Sequence, residues 1–301
     1  MASVITRCLE KEWINPPRWV KNNIVLEVLT GSIAYGMNND LSDMDIVSVV
    51  IPPKADIFPY SVGGYVYGFS DKPQPFTVYQ KHHIDDKEKN REYDITLYSI
   101  VKFFHLCMEN NPNILDIIAT PRRCVLHTTE IGELILKNRK LFYSKAAVPK
   151  FMGYAAAQLS KIRNKKYENS KRKELIDEMG WDVKHGAHLV RNCLEIRQLL
   201  LECDLDIERN SEILKPIRRG EWTLERLIEW FANMEREIDS LYVQSSLQVE
   251  PNEELIKRLL LNCLEIHYGN LSVAVQINPD IGIMINEFKN IIEKYETKIK
   301  K

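Results

Sequence analysis

Leu29-Thr30-Gly31-Ser32-Ile33-Ala34-Tyr35-Gly36, followed by Ser42-Asp43-Met44-Asp45-Ile46, is the stretch on which the reading of this chain turns. An apolar run, Ile24 to Leu29, ends in Gly31-Ser32. A helical or turn segment follows from Ile33 to Met37, then Asn38 to Ser42. Asp43-Met44-Asp45 opens a second apolar run, Ile46 to Ile51, which Pro52-Pro53 stops. Glycine lets a backbone come close to a phosphate. A serine hydroxyl and amides at a helix start can hold triphosphate oxygens. Residues two apart in an extended segment face the same way, so Asp43 and Asp45 project together. Adjacent carboxylates repel unless a cation lies between them. Hard, oxygen-seeking Mg²⁺ suits such a pair, and two ions can activate a hydroxyl and neutralise a departing pyrophosphate. A lone D-x-D is weak and far more often a solvated turn; G-S, ten residues and then D-x-D between two apolar runs is far more specific.

Working outward, Thr77 to Gln80 reads as a short strand and Tyr93 to Tyr98 as another. In the latter, Ile95 and Leu97 alternate with Asp94, Thr96 and Tyr98. Ile100 to Glu109 reads as a helix stopped by Asn110-Asn111-Pro112. The second half is helical: Lys150 to Glu168, Trp181 to Cys203, Glu221 to Gln244, Asn252 to Val275 and Gly282 to Lys298. In the third of these, apolar residues recur every three or four positions from Leu224 to Leu241, one stripe facing a core. Thr223 to Arg226 is read as lying inside that helix rather than as its cap. The expected class is α+β, with a catalytic domain over 1–148 and a helical substrate-binding domain over 149–301.

Composition sets the frame. The chain has 301 residues, 45% hydrophobic and 28% charged, with a formal net charge of −1. That suits a soluble protein of about two domains rather than a disordered one. Six scattered cysteines form no C-x-x-C pair, so reduced thiols and a cytoplasmic setting are expected. No membrane span is expected.

The chain resembles the nucleotidyltransferase superfamily that includes DNA polymerase beta, on Gly31-Ser32-Ile33-Ala34-Tyr35-Gly36 and Ser42-Asp43-Met44-Asp45. It is similar to the branch of RNA-repair-pathway nucleotidyltransferases on Pro52-Pro53, Asn111-Pro112-Asn113, Lys150 to Ala155, Lys184 to Arg191 and Ile217 to Trp222. The resemblance implies a polymerase-beta-like fold with a mixed sheet flanked by helices. It also implies a third carboxylate on a later strand, acting as metal ligand near the attacking hydroxyl. Asp94 is the match and Glu92, on the same face, the runner-up; each is otherwise a salt-bridged strand carboxylate.

Four further features carry expectations. Lys184, His188, Arg191 and Glu195 share a helix face, with His185 beside them. Lys184, His185 and Arg191 are expected to bind a triphosphate or an RNA phosphate, against a solvated basic face as the plain reading. Arg218-Arg219-Gly220-Glu221-Trp222 joins two helices and, with Arg218, would close on the nucleotide, or be a simple connection. Residues 137–174 hold a local excess of ten positive charges, with Tyr154 and Tyr167 near by; a polyanion-binding surface needs such segregation, and an RNA or tRNA acceptor is the expected partner. His82-His83 before Asp85-Asp86 reads as a solvated loop, with a transition-metal site as the alternative.

The expected reaction moves a nucleoside monophosphate from NTP to a hydroxyl, with Asp43, Asp45 and Asp94 holding two Mg²⁺ and Gly31 and Ser32 gripping the triphosphate. Nucleotidylation of a protein hydroxyl and a non-catalytic nucleotide-binding module are the rivals. The preferred NTP and the oligomeric state are not written in the sequence.

Overall fold

The structure is a computed structural model that describes residues 3–37, 43–57, 76–164, 170–269 and 289. The segment 38–42, the aromatic loop from Pro59 to Pro75, the last six residues of the helix expected over 252–275, and the helix expected over 282–298 apart from residue 289 lie outside the described residues. So do residues 165–169, which include Tyr167.

Among the described residues, five strands form one mixed sheet in the order β3-β4-β2-β1-β5. They are β1 (Ile24–Leu29), β2 (Met44–Val50), β3 (Val78–Asp86), β4 (Arg91–Ser99) and β5 (Val125–Thr128). β1 runs antiparallel to β2 and β5, β2 runs parallel to β4, and β3 is antiparallel to β4. Every residue of β1 is buried, as befits an apolar strand covered on both faces. Glu27, the polar exception, is fully buried and accepts from the Val4 amide at 2.7 Å and from the Ser3 hydroxyl. That carboxylate ties the start of α1 (Val4–Glu10) to the sheet.

Period-two alternation divides the sheet. Ile46, Val50, Ile95 and Leu97 pack with Ile5 and Cys8 of α1 on one side. Val47, Val49 and Tyr98 face the other side, towards α4 (Ile100–Met108), α5 (Pro112–Ile118) and α6 (Glu130–Lys137). Two single-turn helices, α2 (Gly31–Ala34) and α3 (Lys54–Ile57), follow β1 and β2. The rest is helical: α7 (Ala147–Asn164), α8 (Ser170–Met179), α9 (Val183–Glu202), α10 (Ser211–Arg218), α11 (Leu224–Gln244) and α12 (Glu253–Tyr268). One apolar core runs from the second sheet face into these helices, joining Val49 and Phe103 to Phe151, Val190, Leu227 and Leu259. All six cysteines are free thiols. Among the described residues no helix is long and apolar enough to cross a membrane.

Several expectations are corrected. β2 opens within the D-x-D as expected, with Met44 and Asp45 already pairing with Tyr93 and Asp94, but it ends at Val50, one residue short of Ile51. β3 extends through the histidine doublet to Asp86, so His82-His83 is strand and not loop. Asn111-Pro112 ends α4 but also starts α5: the Asn111 side chain accepts from the Asn113 amide and Pro112 occupies the first turn. Thr223 is the N-cap of α11, accepting from the Arg226 amide at 3.2 Å. β5 and α10 carry no expectation; α10 has Pro216 within it.

Candidate active site

Leu29 pairs with Ile46, so the chain leaving β1 runs alongside the start of β2. The Thr30 amide donates to the Asp45 carbonyl at 2.8 Å, and the Thr30 hydroxyl to the same oxygen at 3.3 Å. Gly31 then turns at φ +64°, in the left-handed region that favours glycine. A side-chain carbon there would lie 2.0 Å from Asp45 Oδ2, so glycine is what leaves room for that carboxylate. The G-S turn and the second aspartate of the D-x-D therefore form one unit, built by backbone pairing.

Asp45 and Asp94 are directly opposite in the parallel β2–β4 register. Neighbouring strands lie about 4.8 Å apart, so both side chains rise from one spot on the sheet face that looks towards the helices. Asp43, exposed, stands just ahead of β2. Burial first, then Asp94 and Asp43, push the Asp45 carboxyl above the ordinary aspartate range; Lys184 and His82 act the other way.

β3 bends towards this spot. Its register on β4 slips between Lys81 and Ile84, a bulge that sets both His82 and His83 opposite Asp94. His83 takes φ +56° there. Its amide donates to Asp94 Oδ1 at 2.8 Å, and His82 Nδ1 lies 3.2 Å from Asp94 Oδ2. The His83 ring pairs with Glu92, and the donor atoms of His83, Glu92 and Asp94 lie within 4.8 Å of one another. Of the two candidate third carboxylates, Asp94 lines the cleft and Glu92 is drawn aside by His83.

The cleft has a volume of about 710 Å³. Its sheet side carries Gly31, Ser32, Asp43, Asp45, Asp94 and His82; its helical side carries Lys184, His185, His188, Arg191 and Arg218. The nine site residues expected from sequence are thus on one cleft, but they differ in access. Lys184 is exposed. His185 is buried: its amide donates to the α9 cap Asp182 at 3.0 Å, and its Nδ1 lies 2.6 Å from Gln158 Oε1 of α7. His188 is pushed well below the usual histidine range by burial, then by the charges of Arg191 and Lys184, and is neutral.

Arg191 is 6% exposed and does not stand as a solvated basic face. Its guanidinium lies 4.1 Å from the Tyr35 ring centroid and 3.6 Å from both Asp116 and Glu195. The Tyr35 hydroxyl donates to Asp116 Oδ2 at 2.5 Å. Burial and then Asp116 push the Glu195 carboxyl well above its usual range, and burial raises Asp116 too, while Arg191, placed between them, acts the other way on both. This cluster joins the turn after Gly31-Ser32 to α9 across the cleft floor. Sequence reasoning missed Tyr35 and Asp116; the Asn-Pro helix start before Asp116 was the available signal.

The basic segment 137–174 is not one surface. Arg139 and Lys140 pair with Asp204, and Lys145 lies over the Tyr242 ring. Of its described basic residues, Lys161 lines the cleft.

Residues 10–237 match the RNA repair pathway DNA polymerase beta family, RlaP. The chain belongs to that family. A family of polymerase-beta type makes this a nucleotidyltransferase-like protein, and the matched span takes in both the G-S…D-x-D unit and α9. A 139-residue stretch is 27% identical to an uncharacterized 38.9 kDa protein of the nrdC-mobD intergenic region of Enterobacteria phage T4; it covers 46% of this chain and 38% of that protein. A crystal structure of a nucleotidyltransferase-like protein from Exiguobacterium sibiricum aligns over 78% of this chain and 73% of its own, at 11% identity and a TM-score of 0.27.

Proposed function

We propose that this protein is a Mg²⁺-dependent nucleotidyltransferase that moves a nucleoside monophosphate from an NTP to a hydroxyl at an RNA end, a tRNA being one such acceptor. The observation that carries the reading is the register that sets Asp45 beside Asp94, with Gly31 pressed against the Asp45 carboxylate. The donor set fits a hard dication: oxygen ligands from Asp43, Asp45 and Asp94, and an Asp45 carboxyl that burial, and then repulsion from Asp94 and Asp43, push above its usual range. Two Mg²⁺ ions held by these aspartates would supply counter-charge to the triphosphate and the leaving pyrophosphate.

The chain's own groups do the rest. Gly31 brings its backbone close to the phosphates and Ser32 offers a hydroxyl. Lys184 and Arg218, from the opposite wall, balance triphosphate charge. His185, held by Asp182 and Gln158, lines the cleft beside Lys184. Arg191 acts at one remove, holding Tyr35 and the G-S turn through Asp116. The acceptor oxygen bonds to the α-phosphorus, the bond from that phosphorus to the bridging oxygen breaks, and pyrophosphate departs with the electron pair. Asp94, kept in place by the His83 amide, takes the hydroxyl proton. The RNA acceptor is favoured by the family's RNA-repair description and by the acid-free basic helix α7 on the cleft. Buried free thiols suit a reducing, cytoplasmic setting.

The test is a transfer screen with each α-labelled NTP against small RNAs, tRNAs and proteins. Label should enter RNA, require Mg²⁺ and disappear in Asp43→Ala/Asp45→Ala. Label in protein but not RNA would overturn the acceptor, and turnover unchanged in the double variant would overturn the chemistry.

A further inference from the structure

One arm of the cleft is left unused by the chemistry at the aspartates. Alternation sets Asp94, Thr96 and Tyr98 in a row on one face of β4, all three lining the cleft. At ~3.3 Å per residue, Tyr98 lies about 13 Å from Asp94. Its ring is braced by Phe103, with centroids 6.4 Å apart. The facing wall is α7, where Tyr154, Gln158 and Lys161 fall four and three residues apart and line the same cleft. Tyr154 is 36% exposed, so its ring is open to a ligand in the cleft. Burial and then the nearby Tyr154 phenol raise the Tyr98 pKa, as expected of two phenols that share one space. α7 carries Lys150, Lys161 and Arg163 and no acid.

We propose that Tyr98 and Tyr154 clamp a base of a single-stranded RNA acceptor, with Lys161 on its phosphate, so that the β4 arm leads the RNA end to Asp94. This rests on the nucleotidyl-transfer reading for what happens at Asp94, but the clamp itself is measurable without turnover. A small acceptor whose hydroxyl lies at Asp94 does not reach the tyrosines. A polynucleotide does: 13 Å is roughly four stacked nucleotides at ~3.4 Å each. It also brings what the arm is built to receive, flat bases for the rings and regular negative charge for Lys161. Stacking on aromatics beside a cationic track is how single strands are held without strong sequence preference.

The test uses short RNAs with 2-aminopurine at each of the last five positions and the full-length protein, without NTP. The wild type should quench the probe two to four positions from the end and bind with affinity that rises with length up to about four nucleotides. Tyr154→Ala should weaken binding about tenfold and relieve that quench, and Tyr154→Phe should restore both. Tyr154 is exposed, so its loss should leave the fold intact, which circular dichroism checks. Quench unchanged in Tyr154→Ala, or binding insensitive to length, overturns the clamp. If RNA binds in this way but no nucleotide is transferred, the clamp stands and the transfer reading fails. If only proteins bind and are labelled, the clamp fails alone.

Discussion

Replacing Gly31 by alanine separates the geometry of the carboxylates from the stability of the fold. The residue sits at φ +64°, where a non-glycine residue pays about 1–2 kcal/mol. The new methyl would lie 2.0 Å from Asp45 Oδ2 and 3.0 Å from its Cγ, where ordinary contact begins at 3.4 Å. The carboxylate must withdraw by more than 1 Å, leaving its rotamer well at about 0.5–1.5 kcal/mol. Together these cost about 1.5–3.5 kcal/mol, which at ~2 °C per kcal/mol lowers Tm by about 3–7 °C. Activity should suffer far more, because a shift of about 1 Å at a reacting centre costs on the order of 100-fold. Differential scanning fluorimetry and initial-rate NTP transfer read the two effects on one preparation. Gly153→Ala, in the middle of α7 with nothing within 4 Å, is the control and should gain up to about 1 kcal/mol. Wild-type kcat/KM in Gly31→Ala would refute the reasoning. So would a loss of activity that merely tracks the unfolded fraction.

Three other outcomes are expected. Glu195 holds its proton in the folded state to a pKa well above that of the unfolded chain, so the stability it contributes is full below about pH 4.3 and is lost as pH rises through the elevated value; Glu195→Gln should gain Tm over the wild type as pH rises, and parallel Tm–pH curves would contradict this. Asp116→Ala strips the buried Arg191 of one of its two carboxylate partners and the Tyr35 hydroxyl of its acceptor, and should cost about 3–5 kcal/mol in denaturant unfolding, whereas a change below about 1 kcal/mol would mean that the cluster is slack. Mg²⁺ at about 100 times its Kd should stabilise the wild type by about 2.7 kcal/mol and leave Asp45→Asn nearly unmoved; an equal rise in both would place the ion elsewhere.

Much of this was legible in the sequence, for reasons that can be named. β1 could be bounded to the residue because an apolar run lies between Asn22-Asn23 and Gly31. The alternation in β4 put Asp94 on the polar face, and pairing with Asp45 follows once β2 and β4 lie parallel. The bulge was hidden: two successive histidines give no periodic signal, and only the partner strand reveals that both oppose Asp94. β5 is four half-buried edge residues, too short to register as a pattern. Spacing correctly aligned Lys184, His188, Arg191 and Glu195, but not their depth. Lys184 is exposed at the cleft while Arg191 is buried against Tyr35 with Glu195 beside it, because burial along a helix is set by what packs above it. Net basic charge over 137–174 does not show how much of it faces the cleft, for a related reason: Asp204, far off in sequence, neutralises part of it, and Lys161 lines the cleft.

The central claim is that the three aspartates direct transfer of a nucleoside monophosphate. The most direct measurement compares ATP labelled at the α-phosphorus with ATP labelled at the γ-phosphorus, in wild type, Asp45→Asn and Asp94→Asn, with an RNA acceptor and Mg²⁺. The α-label should enter the acceptor with one pyrophosphate released per transfer, the γ-label should leave entirely in pyrophosphate, and both variants should lose at least about 100-fold in rate. Entry of γ-label into the acceptor, or undiminished α-transfer in either variant, would contradict it.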